Sequence, residues 1–156
     1  MPREAGSRPS TMTGDTTKIM AAAEALTDYW RALPRHGSLP AKRELDPARI
    51  ARGSLPYLFI YRRLDDGGFF CRLSGTALRI FHGRDVTGLG LADFLAAEES
   101  TALAAAFQAA LDSGAPVLES GAASFADRTN APYVRLLLPM SSDGRARDLV
   151  FGGLIF

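Results

Sequence analysis

The chain has 156 residues, of which 47% are apolar and 22% are charged, and its net charge is +1, values typical of a single folded domain. A protein that neutralises nucleic-acid phosphates needs a basic excess or stripe, and the sequence has neither, so we exclude nucleic acid as a partner. The single cysteine excludes an internal disulfide. Because no apolar run approaches the roughly 20 residues that span a bilayer, we expect a cytoplasmic protein that does not enter the membrane.

The N-terminal region divides into a tail and a helix. Residues 1–14 are rich in proline, glycine, serine and threonine and lack periodicity, which predicts a disordered tail. Residues 15–34 predict an amphipathic helix that is stopped by Pro34. Its apolar residues recur at spacings of three and four and form one stripe, which comprises Ile19, Ala22, Leu26, Tyr29 and Leu33, with Trp30 beside it. Two interpretations stay open, since this stripe can pack on the chain's own sheet or on a second copy in a dimer.

Residues 35–156 are predicted to form one α+β domain. A proline-containing segment leads into a strand pair, which is followed by short helices, one long helix and three consecutive strands. The predicted strands cover residues 57–63, 69–73, 117–125, 133–140 and 149–156, and the predicted helices cover residues 75–82, 91–95 and 97–113. Glycines just past residues 82 and 113 are the typical stop residues of helices.

Several short strings lie in the following order along the chain, namely Tyr29-Trp30, the stretch from Leu39-Pro40 to Asp46-Pro47, Leu55-Pro56, Arg72-Leu73-Ser74-Gly75-Thr76, the run from Phe81 to Gly88, Leu138-Pro139-Met140 and Gly152-Gly153. In their order and spacing these strings resemble a compact bacterial PAS-type family that was formerly a domain of unknown function. The resemblance covers about residues 26 to 156. It implies a five-stranded antiparallel sheet with short helices and one long helix on one face, and with the N-terminal helix on or near the other. It also implies a sensory or interaction role, often as a homodimer, and no particular ligand.

The predicted elements leave no room for an effector within this sequence. A kinase, cyclase or DNA-binding module would need a further ~60 to 200 residues. We therefore expect a stand-alone module that binds a small molecule or a protein and signals through a separate protein partner.

The sequence offers little that is typical of catalysis or of a metal site. Its two histidines, His36 and His82, are too few for a zinc site, and the long helix has no histidine to hold haem, so we predict no cofactor and no metal. We interpret His82 as a helix-end residue favoured by the helix dipole. Cys71 lies between aromatic residues on a strand and is interpreted as a small buried apolar residue. No catalytic constellation is visible, so we expect a protein that is not an enzyme.

A modest apolar cavity is one of two interpretations of the core. Glycine inside a strand marks a close backbone approach or space for a ligand, which draws attention to Gly152-Gly153. Arg135 could hold a carboxylate by a two-pronged hydrogen bond if it points into a pocket. The candidate cavity residues are Phe59, Tyr61, Leu73, Phe107, Tyr133, Arg135, Leu137 and Gly153. A filled core without a cavity is the other interpretation.

Two alternative functions stay open. The first is an enzyme or carrier of a small apolar ligand with a cone-shaped α+β fold, for which Tyr133 with Asp127 is the nearest approach to a catalytic pair. The second is an adaptor that docks a partner helix through the stripe of Ile19, Leu26, Tyr29, Trp30 and Leu33.

Overall fold

A computed structural model describes residues 8–156, with side chains from residue 14 onward. The regular elements are α1 (Arg8–Ala32), β1 (Leu58–Arg63), β2 (Phe69–Ser74), α2 (Leu78–His82), α3 (Ala97–Ser113), β3 (Val117–Phe125), β4 (Arg128–Met140) and β5 (Leu149–Ile155). Short 3-10 turns lie over Lys42–Glu44, Pro47–Arg49, Arg52–Tyr57 and Leu91–Asp93.

Helix α1 starts earlier than the sequence predicts. It begins at Arg8, so the predicted tail is wrong for residues 8–14, while residues 1–7 lie outside the described part of the chain. Pro9 is compatible with this start, because a proline in the first turn removes only an N–H that has no partner inside the helix. Gly14 costs a helix about 1 kcal/mol relative to alanine. It therefore looked like part of a tail rather than the interior of a helix.

The five strands form one antiparallel sheet in the order β2-β1-β5-β4-β3. The C-terminal strand β5 lies at its centre, where Gly152 pairs with Phe59 on one side and Leu137 on the other. A Cβ atom at Gly152 would collide with the backbone carbonyl of Leu136, so glycine is required there for close backbone approach.

Helix α1 packs on one face of its own sheet. Trp30 is only 4% exposed, and its Nε1–H donates a 2.9 Å hydrogen bond to the carbonyl of Pro139 in β4. The buried members of the predicted stripe are Ile19, Leu26, Trp30 and Leu33, and Tyr29 is half-buried beside them. The stripe is therefore covered within the chain. The first of the two interpretations is thus observed, since these apolar side chains bury their surface against the sheet. A role of the same helix in a dimer or toward a partner stays a prediction.

The opposite face of the sheet, which we call the α3 face, is covered by α3, α2 and the 3-10 turn Leu91–Asp93. Phe107, Ala110 and Leu111 of α3 are completely buried there. The helix ends at Gly114, whose φ is 69°. Arg147 Nε adds a 2.9 Å hydrogen bond to the free carbonyl of Leu111 and so stabilises that end of the helix.

Strand β4 extends further toward its N-terminus than the predicted start at residue 133. It begins at Arg128, so Asn130 is part of a strand rather than of the predicted turn. Proline is normally kept out of central strands, which is why the sequence favoured a later start. Pro132 is tolerated because β5 stops pairing at Val134, so the N-terminal end of β4 has β3 as its only neighbour.

Candidate functional site

The α3 face of the sheet contains a cavity of about 190 Å³ between the sheet, α3 and α2. A cavity of about 150 Å³ is large enough to bind benzene, so this one has room for a single ring and a few further atoms. It is lined by Phe59, Tyr61, Phe81, His82, Leu95, Glu99, Leu103, Phe107, Ala122, Ala123, Tyr133, Arg135 and Leu154.

Aromatic side chains form most of the inner wall. The rings of Tyr61 and Phe107 lie 5.0 Å apart, and those of Phe59 and Phe107 lie 6.2 Å apart. On the other side, the rings of Phe81 and Tyr133 meet edge to face at 5.5 Å. Because these rings hold one another at distances typical of favourable aromatic pairs, the wall is preformed.

The cavity continues into a hollow of about 240 Å³ at the protein surface, which we call the mouth. The mouth shares Leu95, Glu99, Leu103, Tyr133 and Arg135 with the cavity and adds Ala102 and Glu119. The charged side chains that line the cavity, Glu99 and Arg135, also line the mouth, and the other polar side chains of its wall are Tyr61, His82 and Tyr133. A ligand in this space would place a polar head at the mouth and an apolar body inside.

Arg135 is the central charged group of the mouth. Its side chain is 20% exposed, and its Nη1 lies 3.3 Å from Oε1 of Glu119 on the neighbouring strand. The guanidinium carbon lies 5.6 Å from the centre of the Tyr133 ring. An arginine has five N–H donors. Within the described part of the chain only one of them has a partner, so the rest of the fork is available to a ligand.

His82 is a neutral group in the cavity wall. Burial, and secondarily the charge of Arg135, lower its pKa from 6.5 to about 4. Its ring packs edge to face on Phe94 at 5.1 Å. His82 is the last residue of α2, as predicted, but its lowered pKa leaves it neutral, so the helix dipole has no charge on it to stabilise. Helix α2 has only the five residues Leu78–His82, and its end is formed by Gly83 at a φ of 77°.

Tyr61 in the cavity wall and Cys71 behind it both stay protonated at neutral pH. Burial raises the pKa of the Tyr61 hydroxyl well above its usual range and raises the pKa of the Cys71 thiol to about 11. The thiol is fully buried and donates a 3.3 Å hydrogen bond to the carbonyl of Leu73. Cys71 is therefore protonated at neutral pH and packs as a small apolar side chain, as predicted.

The structure gathers most of the predicted cavity residues. Those that line the cavity are Phe59, Tyr61, Phe107, Tyr133 and Arg135. Leu137 is completely buried in the same core without facing the open space. That these residues bind a ligand stays a prediction.

Leu73 and Gly153 are wrong as cavity residues. Leu73 is 44% exposed, because a register shift between Ile60 and Tyr61 pairs it with Ile60, whose side chain lies on the α1 face. Gly153 also faces the α1 side, where an added Cβ would meet Ile155 and the carbonyl of Tyr57. Since side chains alternate between the faces of a strand, a single step of register reverses the side on which a residue lies.

Several lining residues were missed by the sequence analysis. Glu99 and Leu103 precede the predicted Phe107 at spacings of four on one face of α3, and that periodicity could have revealed them. Phe81 and His82 had no such signal, because they reach the cavity from a short helix whose position depends on the tertiary fold.

Residues 8–156 offer neither a metal site nor a membrane-spanning helix. No group of three or more histidine, cysteine, aspartate or glutamate side chains in this part of the chain is arranged to hold a metal ion. Among the same residues, no helix has the length and apolar character that crossing a membrane requires.

An antiparallel sheet in the order β2-β1-β5-β4-β3, with helices enclosing a small cavity on one face, defines an α+β domain of the PAS type. A family model described as a PAS domain matches residues 18–155, and the chain therefore belongs to the PAS domain family. PAS domains are typically sensory or interaction modules rather than enzymes. The fold is thus the PAS-like one that the sequence predicts. No curated protein and no solved structure matches the chain.

Proposed function

We propose that this PAS domain is a sensor that binds a small molecule in the cavity of the α3 face and signals through a separate protein. The observation that carries the proposal is the cavity itself, with its aromatic inner wall and one incompletely bonded arginine at its mouth. Ligand sites are typically concave, largely apolar and equipped with a few convergent polar groups.

A stability argument supports this assignment. Protein interiors are normally packed as densely as organic crystals, and empty apolar space destabilises a fold by about 24 cal/mol per Å³. The cavity of about 190 Å³ opens to the surface at the mouth, so only the space along its aromatic wall carries this cost. A bound apolar group would recover the lost packing contacts there.

The relay to a partner would run through β3. This strand is at the edge of the sheet, and its residues Ala122 and Ala123 line the cavity. Glu119 of the same strand forms an ion pair with Arg135 of β4. A ligand that binds Arg135 would therefore alter this contact between β3 and β4. Binding shifts a conformational equilibrium only when the ligand prefers one state, and this ion pair offers such a difference.

We also propose that the module acts in the cytoplasm as a homodimer. Because the α1 stripe is buried in the chain, the contact would use another surface, and exposed Met20 and Leu118 flank a groove between α1 and β3. Light scattering at high micromolar concentration tests the dimer. A particle that stays at the chain mass of 16.7 kDa would contradict it.

Native mass spectrometry of freshly purified protein tests the ligand proposal. We expect a small-molecule adduct on the wild type and its loss in Ala123→Phe, which fills the cavity. Ser120→Phe is the matched control, since it places the same ring at an exposed position of the same strand. The proposal fails if the wild type carries no adduct and its unfolding temperature does not respond to toluene.

A further inference from the structure

The charged groups of the mouth indicate which class of ligand the cavity takes, and this inference rests on the proposed ligand-binding function. The side chain of Arg135 is only 20% exposed, yet it makes one 3.3 Å contact with Glu119 and no other hydrogen bond within the described part of the chain. A guanidinium fork fits a carboxylate with two parallel hydrogen bonds. The open part of the fork therefore favours a ligand with a carboxylate.

A carboxylate alone does not fit the rest of the mouth. Glu99 and Glu119 both line it, and Glu99 forms no ion pair or hydrogen bond among the residues that the structure describes. A purely anionic ligand would bring a third negative charge beside these two, which disfavours binding. A purely cationic ligand would have to sit beside Arg135. Glu99 lies in the first turn of α3, where the helix dipole favours an acid. This interaction with the dipole does not occupy the carboxylate oxygens, which can still bind a ligand in the mouth.

A ligand with both charges satisfies all three groups. Its carboxylate would bind the open fork of Arg135, and its ammonium group would lie between the carboxylates of Glu99 and Glu119. These residues come from three different elements, α3, β3 and β4, that converge on the same hollow. Recognition by convergent groups of opposite charge gives specificity for the arrangement of the charges on the ligand.

The inner cavity sets the size of the remaining part of the ligand. Its volume of about 190 Å³ exceeds the roughly 150 Å³ that holds benzene, and its walls include Phe59, Phe107 and Leu154. An apolar group of one ring or one branched aliphatic chain fits this space. The polar side chains of this inner wall, Tyr61 and His82, are uncharged, so a charged group there would lose its hydration without gaining an opposite charge.

We infer that the cavity binds a free α-amino acid with a small aromatic or branched aliphatic side chain. The carboxylate binds Arg135, the ammonium group binds Glu99 and Glu119, and the apolar side chain enters the aromatic cavity.

Calorimetric titration with four matched probes tests this inference. L-Phenylalanine carries both charges, 3-phenylpropanoate carries the carboxylate, 2-phenylethylamine carries the ammonium group, and toluene carries neither. We expect L-phenylalanine to bind at least tenfold more tightly than 3-phenylpropanoate, and 2-phenylethylamine and toluene to bind more weakly still.

Three variants assign the charges. Arg135→Gln should weaken L-phenylalanine binding at least tenfold and leave toluene binding unchanged, while Arg135→Lys, which keeps the charge but loses the fork, should fall between. Glu99→Gln should weaken L-phenylalanine and not 3-phenylpropanoate. Arg49→Gln is the matched control, because it removes an arginine from another carboxylate pair outside the cavity. Circular dichroism confirms that each variant is folded.

The outcomes separate this inference from the proposed function. If toluene or 2-phenylethylamine binds as tightly as L-phenylalanine, or if Arg135→Gln binds L-phenylalanine like the wild type, the amino-acid assignment is overturned while a ligand cavity remains. If none of the four probes binds and the purified protein retains no small molecule, both proposals are overturned.

Discussion

The two faces of the sheet are built from the same strands and yet differ in kind. In β1, the side chains of Leu58 and Ile60 pack toward α1, while Phe59 and Tyr61 point to the α3 face. The α1 face is aliphatic apart from a few rings and is closed by one long helix. The α3 face is rich in aromatic rings and encloses a cavity. The alternation of side chains along a strand thus lets one sheet carry a filled core on one side and a binding space on the other.

This difference predicts opposite responses to substitution. Changes on the α1 face should act on the free energy of unfolding, because Trp30 and the other buried side chains of this face pack against the sheet. Changes on the α3 face should act on ligand binding and have small or even favourable effects on stability.

The largest expected effect is on the α1 face. Trp30→Ala removes a side chain that is 4% exposed, together with its hydrogen bond to Pro139. We expect the free energy of unfolding, measured by urea titration, to fall by about 3–5 kcal/mol. Tyr29→Ala on the same helix is the control and should cost less, because Tyr29 is half-buried. A loss below about 1 kcal/mol for Trp30→Ala would show that α1 does not stabilise the fold.

The next prediction compares an enlarged side chain on each of the two faces. Val134→Leu on β4 enlarges a side chain that packs toward α1 and is 3% exposed, and overpacking should cost about 1–3 kcal/mol. Ala123→Leu enlarges a residue that lines the cavity and should raise the free energy of unfolding by about 1 kcal/mol, since it fills empty space. Urea titrations of both variants without added ligand give the comparison. An equal decrease in the free energy of unfolding in the two variants would mean that the α3 face is packed as densely as the α1 face.

The smallest expected effect concerns pH. Because the pKa of His82 is about 4 in the folded protein and about 6.5 in the unfolded chain, the unfolded chain takes up a proton first as the pH falls. The free energy of unfolding should therefore decrease from pH 6.5 toward pH 4. Between pH 7.5 and pH 5, this decrease should be about 1 kcal/mol smaller in His82→Gln than in the wild type.

The control for this experiment is His36→Gln, which replaces an exposed histidine and should follow the wild type. Other groups that titrate in acid, such as Asp85 and Asp143, whose pKa values are lowered by hydrogen bonds to their carboxylates, are common to all three proteins and cancel. Identical pH profiles for the wild type and His82→Gln would contradict a buried, neutral His82.

The sequence predicted the elements well because their signals are local. Turn residues, helix-stopping glycines such as Gly83 and Gly114, and the periodicity of apolar residues are all read within one element. The errors arose where a neighbour decides the outcome. Pro132 is allowed in a strand only because β5 stops short of it, and Leu73 faces the wrong side only because of a register shift.

The same limit applies to the candidate site. Residues on the predicted strands and on α3 could be assigned to the cavity from their pattern. The correct assignments were Phe59, Tyr61, Phe107, Tyr133 and Arg135. The partnership of Arg135 with Glu119 depends on the pairing of β3 with β4, which the order of elements suggests but does not fix in register. The contribution of Phe81 and His82 depends on the placement of a five-residue helix, for which no local signal exists.

The overhang of β3 and β4 beyond the end of β5 has a mechanical consequence. From Gly121 to Phe125 the hairpin extends about 13 Å, so a tilt of about 10° at its base would move its tip by about 2 Å. The ring of Phe125 at the tip lies 4.8 Å from that of Phe81 and 4.9 Å from that of Phe156. Any tilt of the hairpin about its base near Arg135 would therefore also displace α2 or the last residue of the chain.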